Sequence, residues 1–477
     1  MQKKKIKIAY ILRRIAYNNI NIKKYAKNNC ILLNEVIYYE YNKRKGCVSM
    51  KIQAVLIDGF KNLSNVKISF DNITALVALN NFGKSNVLSG IDFGLAFIKA
   101  TIEDKKEMMA NSNLIPINCN MIGKNYKYEM EVSTDIHGQE YIVQYGFEFV
   151  WKNSEDMEPR IVSEFLKVKL NEKGQKYTQL INRTLDTALY KSSETGRCSS
   201  KIKVDSAELV ANKLRAYDEL YYAEIITKLN GMKIYMENNL DAKSFYQPDP
   251  IIRKGFENEM INADNLPRII FNLKKQNSDK FELLKDVYFQ LFPDIEDVIV
   301  KNFKINADES DQFPDDAPFV FTNSIYVLFV KDKNLANPVN FSMMSDGAKR
   351  VFMILTKIIV SSVSNISLIA IEEPENSVHP GLFQAYIQII SQLLDDCKVI
   401  ITSHSPYIIS YLNPSWIHVG MNRKPGVAEF FAFKKSGQKQ LENDASGLNM
   451  SMGDYLFSML ADSESNISDY LECDVDE

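Results

Sequence analysis

The sequence predicts an α/β fold with a mixed sheet, split by a large α+β insert. Three observations predict it. A mostly apolar run, Ile73–Ala78, leads through a Gly-Lys-Ser tripeptide into residues with helical spacing. In the last third, two continuous apolar runs, Ser367–Ile371 and Lys398–Ile401, flank an amphipathic helix, the pattern of a right-handed βαβ unit. Between these parts, from about Glu103 to Leu335, alternating strands and separate helices replace that pattern.

Taken in order, residues 1–49 carry twelve Lys/Arg and two Glu, a net +10. The ordered pattern begins after Met50, so a basic extension outside the fold is expected. A basic leader also suits RNA or anionic lipid. Arg13 and Arg14 split the apolar part of the first residues and no small-residue cleavage site follows, so no signal peptide is expected. In residues 50–102, Lys51–Asp58 and Val66–Phe70 read as strands, and Val87, Ile91, Leu95 and Ile98 predict a helix from Ser85.

Within 103–335, strands are expected at Lys127–Val132, Tyr141–Trp151, Phe165–Leu170, Asp297–Ile305 and Ser324–Lys331. Helices are expected over about Ser206–Asn238, Leu266–Lys275 and Lys280–Phe292, with a mobile polar loop over Thr184–Lys201. No heptad repeat persists, so the insert is not a coiled-coil arm. Residues 336–440 return to α/β, with helices in Met344–Val363 and Gly381–Leu394. Beyond Lys439 the chain holds ten acids and no basic residue, and residues 441–477 read as a solvated acidic segment or a docking segment for a partner.

The composition, 45% hydrophobic and 25% charged, is that of a globular chain. Six scattered cysteines without a C-x-x-C pair disfavour a zinc ribbon or disulfide framework and fit a reducing cytoplasm. No apolar run reaches the roughly 18–20 residues of a membrane span.

Four segments carry the candidate chemistry. In the first, Ala78, Asn80, Asn81, Phe82 and Gly83 precede Lys84, Ser85 and Asn86 at the helix start. Backbone N–H groups there would cradle phosphates, Lys84 would bridge β- and γ-phosphates, and Ser85 would ligate Mg2+. Alanine stands at 78 where the G-x-x-x-x-G-K-[ST] pattern has its first glycine, which requires a non-positive φ there. The second is Glu372-Glu373-Pro374, two carboxylates ending a buried strand, one suited to a Mg2+ shell and the other to an attacking water. The third is His404, just past a buried strand and able to sense a γ-phosphate. The fourth is Ser345-Asp346-Gly347, which opens a helix and could bind an anion. Each also has a plain reading: a turn that binds nothing, a solvated acidic turn, a structural histidine, an ordinary N-cap.

Together, and in this order, the segments resemble an ABC-type ATPase of the SMC and OLD-like branch. The similarity covers Met50–Ala100 ("VLIDGFKNLSNVKISFDNITALVALNNFGKSN") and Phe341–Gly420 ("IEEPENSVHP", "ITSHSPYII"), with weaker similarity at Asn265–Val300. The resemblance implies an ABC-type P-loop ATPase head that binds and hydrolyses ATP with Mg2+. It makes Lys84 and Ser85 the Walker A residues, Ser345–Gly347 the signature, Glu372 the Walker B acid, Glu373 the catalytic base and His404 the switch histidine. Asn376–His379 falls at the D-loop. Gln139 and Gln144 are equal candidates for the Q-loop. Glu372 stands where many relatives have Asp.

The same resemblance implies a homodimer or higher homo-oligomer, in which one head's signature closes on the other's nucleotide. No hinge-bearing coiled coil and no Toprim module are expected. The chain resembles the stand-alone ATPases of bacterial anti-phage systems such as Septu and PARIS, where a separate effector, a nuclease or toxin, is controlled. A second expectation is an SMC-like repair ATPase acting on DNA ends, with nucleic acid as a partner, although the body between the charged ends is near neutral. A third, a pseudo-enzyme scaffold, is disfavoured by Glu373 and His404.

Overall fold

The computed structural model describes residues 50–473 apart from 111–114, 153–157, 238–245, 247–249, 254–264, 306–316, 318, 365, 377, 395–396, 422 and 463–465. The expected basic extension, residues 1–49, therefore lies outside the described residues. Three strands come first: β1 (Lys51–Asp58), β2 (Val66–Ser69) and β3 (Ile73–Val77). Helices α1 (Lys84–Lys99) and α2 (Ile102–Ala110) follow. Next come β4 (Tyr126–Ile136), β5 (Gln139–Val150), β6 (Arg160–Leu170), β7 (Thr178–Arg183), β8 (Ala188–Tyr190) and β9 (Ser200–Lys201). After α3 (Val210–Leu214) and α4 (Ala223–Gly231) lie β10 (Lys233–Glu237) and β11 (Ile251–Arg253). Helices α5 (Leu266–Gln276) and α6 (Ser278–Leu291) precede β12 (Ile295–Lys304), β13 (Phe319–Phe321), β14 (Ser324–Asp332) and β15 (Val339–Asn340). The final part is α7 (Asp346–Ser364), β16 (Ile366–Glu372), α8 (Pro380–Leu393), β17 (Lys398–Ser403), α9 (Pro406–Tyr411), β18 (Ile417–Met421), β19 (Glu429–Ala432), α10 (Lys435–Gly447) and α11 (Met452–Ala461).

The central sheet has the order β10-β16-β17-β3-β18-β19 and is parallel except at β19. Its inner strands are apolar throughout because both faces are covered. Alternate residues serve two cores. Ile73, Ala75, Val77, Ile369, Ile371, Val399 and Ile401 face one, with α5, α6, α7 and α8. Leu76, Ala78, Leu368, Ala370 and Ile400 face the other, with α1 and the antiparallel sheet. That second sheet runs β2-β1-β4-β5-β6-β7-β8-β9. Strands expected in residues 50–102 and in 103–335 thus share one ladder, since β1 pairs with β4 from Lys51↔Ser133 to Asp58↔Lys127.

The α/β class with a mixed sheet is what the structure has. Three local expectations differ. Thr184–Lys201 is not loop throughout: β8 and β9 lie in it, because Leu189 and Tyr190 pair with Lys201 and Ser200. The helices expected over Ser206–Asn238 are present but end at Gly231, and β10 takes the place of the last turn, since KIYME meets an open edge of β16; Asn238 lies outside the described residues. The acidic end is not simply solvated. Leu456, Ile467 and Leu471 are buried in the first core, and Phe433 bridges Leu471. Its acids are interleaved with apolar residues at helical spacing, which net charge conceals.

Candidate nucleotide site

Three neighbouring parallel strands, β16, β17 and β3, end at one edge, and each delivers a segment there. From β3 the chain passes through Ala78–Gly83 into α1. Two residues of this loop have left-handed backbone, Asn81 at φ 59° and Gly83 at φ 127°. At Gly83 a side chain would be both strained and crowded, since its Cβ would lie 3.0 Å from Asn62 Oδ1 and Ala428 Cβ. Ala78 has no positive φ, so the missing glycine is not required by conformation. Its methyl is buried, facing Gly420 and the Phe82 ring. Among the described residues no side chain caps α1, whose first N–H groups are the orphan donors an anion satisfies.

The Lys84 ammonium turns back onto the loop, donating to the carbonyls of Ala78 at 2.8 Å and Leu79 at 2.9 Å. Burial lowers its pKa, and the carboxylates of Glu373, Glu375 and Glu372 oppose that shift. A phosphate has only to displace two neutral acceptors to take this cation.

At the end of β16, Glu373 N–H donates to Thr402 O at 2.9 Å and the residue adopts φ 46°. This left-handed turn sends Glu373 out of the strand's alternation. Its carboxylate accepts from Asn376 Nδ2 at 2.6 Å and lies 2.9 Å from His404 Nδ1, a contact too poorly aligned to count as a hydrogen bond. Beside it, Ser403 Oγ donates to Glu375 Oε1 at 2.6 Å and accepts from Ser405 N–H at 2.9 Å. Burial raises the Glu375 pKa.

Asn80, Asn81, Phe82, Gly83, Lys84, Ser85 and Asn86 line one cleft of about 190 Å3 together with Glu372, Glu373 and Thr402. Ala78 is buried and does not line it. Ser345, Asp346 and Gly347 do not line it; they open α7, where Ser345 Oγ caps Ala348 N–H at 3.3 Å and Asp346 pairs with Lys349 at 2.8 Å. Neither Q-loop candidate reaches the cleft, and Gln144 Nε2 is bonded to Glu131 at 2.7 Å. In the D-loop stretch, His379 caps α8 through Gly381 N–H, and Ser377 lies outside the described residues.

Among the described residues no group of three or more His, Cys, Asp or Glu could hold a metal. Ser85 and Glu372 fit Mg2+ nonetheless, because that ion keeps several waters and takes few protein ligands beside phosphates. Sequence reasoning missed Asn62, which ties the loop down by donating to Phe82 O at 3.0 Å and accepting from Asn86 Nδ2 at 2.8 Å. It also missed Glu375, Thr402 and Arg350, and it placed Asn376 in the D-loop stretch without its bond to Glu373. Asn62 lies in the turn after β1, and a lone polar turn residue carries no signal of where its amide points.

The AAA ATPase domain family matches residues 50–409, about three quarters of the chain. The chain belongs to that family. As an AAA ATPase it binds nucleotide and hydrolyses ATP. It is also similar to a "Retron Vc95 probable ATPase" of Vibrio cholerae serotype O1 biovar El Tor, 20% identical over 404 residues that cover 78% of this chain and 73% of that one. Among solved structures it is similar to an SMC head bound to the C-winged helix domain of ScpA (13% identity, TM-score 0.47, 82% of this chain and 99% of that one). An SMC head domain from Thermotoga maritima gives 12% identity and a TM-score of 0.38, over 81% of this chain and all of that one. No helix among the described residues is long and apolar enough to cross a membrane.

Proposed function

We propose that this AAA ATPase hydrolyses ATP-Mg at a composite site between two copies of the chain. The observation that carries the reading is the division of the site. Lys84, Ser85, Glu372 and Glu373 share one cleft with His404 beside Glu373, while Ser345–Gly347 stand on another helix outside it. A second copy offering its α7 N-terminus would complete the phosphate shell. Ser85 and Glu372 would hold Mg2+, which supplies charge neutralisation at the phosphate oxygens. Glu373 would orient and deprotonate the attacking water, and His404 would face the γ-phosphate.

Two variants test this, alone and mixed. Lys84→Ala disables its own loop; Ser345→Arg disables the helix start offered to a neighbour. Each is expected to lose turnover, and the mixture to regain part of it. A mixture that stays inactive after demonstrated subunit exchange would sink the composite site.

The biological role we infer is control of a separate effector, a nuclease or toxin, in a bacterial defence system. Similarity to a retron ATPase supports it. Co-purification of a second chain with the tagged protein is the check, and full phage protection by this chain unaccompanied would overturn it. Salt-sensitive DNA binding with DNA-stimulated hydrolysis would instead favour a repair ATPase.

A further inference from the structure

We propose that Arg350 is a positioning residue for hydrolysis: from α7 it holds the Glu372–Glu373 peptide, and through it the Glu373 carboxylate. The inference rests on the proposed role of Glu373 as base. Arg350 lies one turn inside the helix that Ser345 and Asp346 open. It is buried, and its Nη2 donates to the Glu372 carbonyl at 2.6 Å. The N–H of the same peptide donates to Thr402 O at 2.9 Å. This one peptide is therefore pinned at both ends, by α7 on one side and β17 on the other. The pinning fixes the torsion after Glu372, and Glu373 then takes its left-handed φ of 46°. A non-glycine residue holds such a conformation only when its surroundings over-determine it.

Arg350 is a costly way to make one hydrogen bond. Among the described residues its Nε is buried without a partner, and burial lowers its pKa despite the phenol of Tyr386 and the carboxylates of Glu237, Glu375 and Glu373. An apolar side chain would fill the same space more cheaply. What the guanidinium adds is a rigid link from the start of α7, which faces one nucleotide in the composite reading, to Glu373, which faces the other. A shift of α7 on engaging its neighbour's phosphate would thus turn the peptide that carries the base.

The test compares Arg350→Met and Arg350→Lys with wild type for ATP affinity, kcat and thermal midpoint. Positioning predicts that Arg350→Met lowers kcat by about tenfold to a hundredfold, with ATP affinity within about twofold of wild type, and that Arg350→Lys recovers part of the loss. Unchanged kcat would overturn the proposal, as would an affinity loss equal to the kcat loss. If Arg350→Met does not fold, Arg350→Lys, which keeps a buried cation, carries the same comparison. Mixed chains then locate the effect. Arg350→Met is placed in the Ser345→Arg chain, which supplies the working Glu373, or in the Lys84→Ala chain, which supplies the working signature. A larger loss in the first arrangement supports positioning through Glu373; a larger loss in the second means Arg350 only shapes α7, and overturns it. If the parent mixture regains nothing, the composite site fails, while the single-variant comparison still decides Arg350.

Discussion

At the scale of single residues, the substituted loop position is informative because of what its methyl packs against. Ala78 puts a methyl where the strand enters the phosphate loop, and Gly420 on β18 leaves the space for it. A Cβ on Gly420 would lie 2.5 Å from Phe82 Cε1 and 2.8 Å from the Ala78 methyl. Phe82 is in turn set edge-on against Phe430, centroids 5.4 Å apart. Ala78→Gly is therefore expected to keep ATP turnover within about twofold and to cost about 0.5–1 kcal/mol of stability, through unfolded-chain entropy. Gly420→Ala should do more: about 1–3 kcal/mol from overpacking, with weaker ATP binding as Phe82 is pushed into the loop. Denaturant unfolding and steady-state kinetics on the two variants check this. Equal behaviour of the pair would refute the account. Residues at this scale were legible where chemistry restricts the choice: Lys84, Ser85, Glu372, Glu373 and His404 announce themselves by type and by place, at a helix start or just at or past a strand end. Asn62 and Arg350 do not, because their role lies in hydrogen bonds to backbone atoms of residues 20 and 22 positions away.

At the scale of elements, strands buried on both faces and long amphipathic helices were readable, since their apolar pattern has one explanation. Elements defined by a partner were not. The five residues of β10 became strand because β16 left an edge to pair with, and Tyr235 faces one core while Ile234 and Met236 face the other. The C-terminal helix is a second case, and it has a functional consequence. Gly453 in α11 packs so closely on the start of α9 that a Cβ there would lie 2.0 Å from the Pro406 carbonyl oxygen. That proline begins the helix two residues after His404. Gly453→Ala should force α9 away, costing about 1–3 kcal/mol, and lower turnover by displacing the histidine. Gly447→Ala, at a position with nothing within 4 Å, is the control and should be neutral or slightly stabilising. Melting curves and ATPase rates for both variants settle it. A Gly453→Ala chain that melts lower yet turns over normally would show that α11 buttresses the core without governing His404.

At the scale of the whole molecule, the central sheet explains why so few residues can make a site. Both of its faces are covered, so the strands are rigid and their C-terminal ends form an edge where loops from β16, β17 and β3 meet. One chain brings Lys84, Ser85, Glu372, Glu373 and His404 to that edge, but leaves the α7 start outside the cleft. A molecule built this way should assemble around its nucleotide. Replacing the proposed base while keeping its shape isolates that step: Glu373→Gln retains the hydrogen bond with Asn376 in one amide orientation but cannot take a proton. We expect turnover to fall by about a hundredfold or more, within the range general-base catalysis supplies, with Mg-ATP affinity unchanged or tighter. We also expect the ATP-bound variant to sediment as a dimer, and the same chain carrying Ser345→Arg as well to stay monomeric under identical conditions. Binding shifts the monomer–dimer balance only through contacts that the dimer alone makes. Analytical ultracentrifugation with and without ATP reads this directly. If Glu373→Gln loses turnover but binds ATP without any change in mass, the cleft is a working site whose missing part comes from something other than a second copy of this chain.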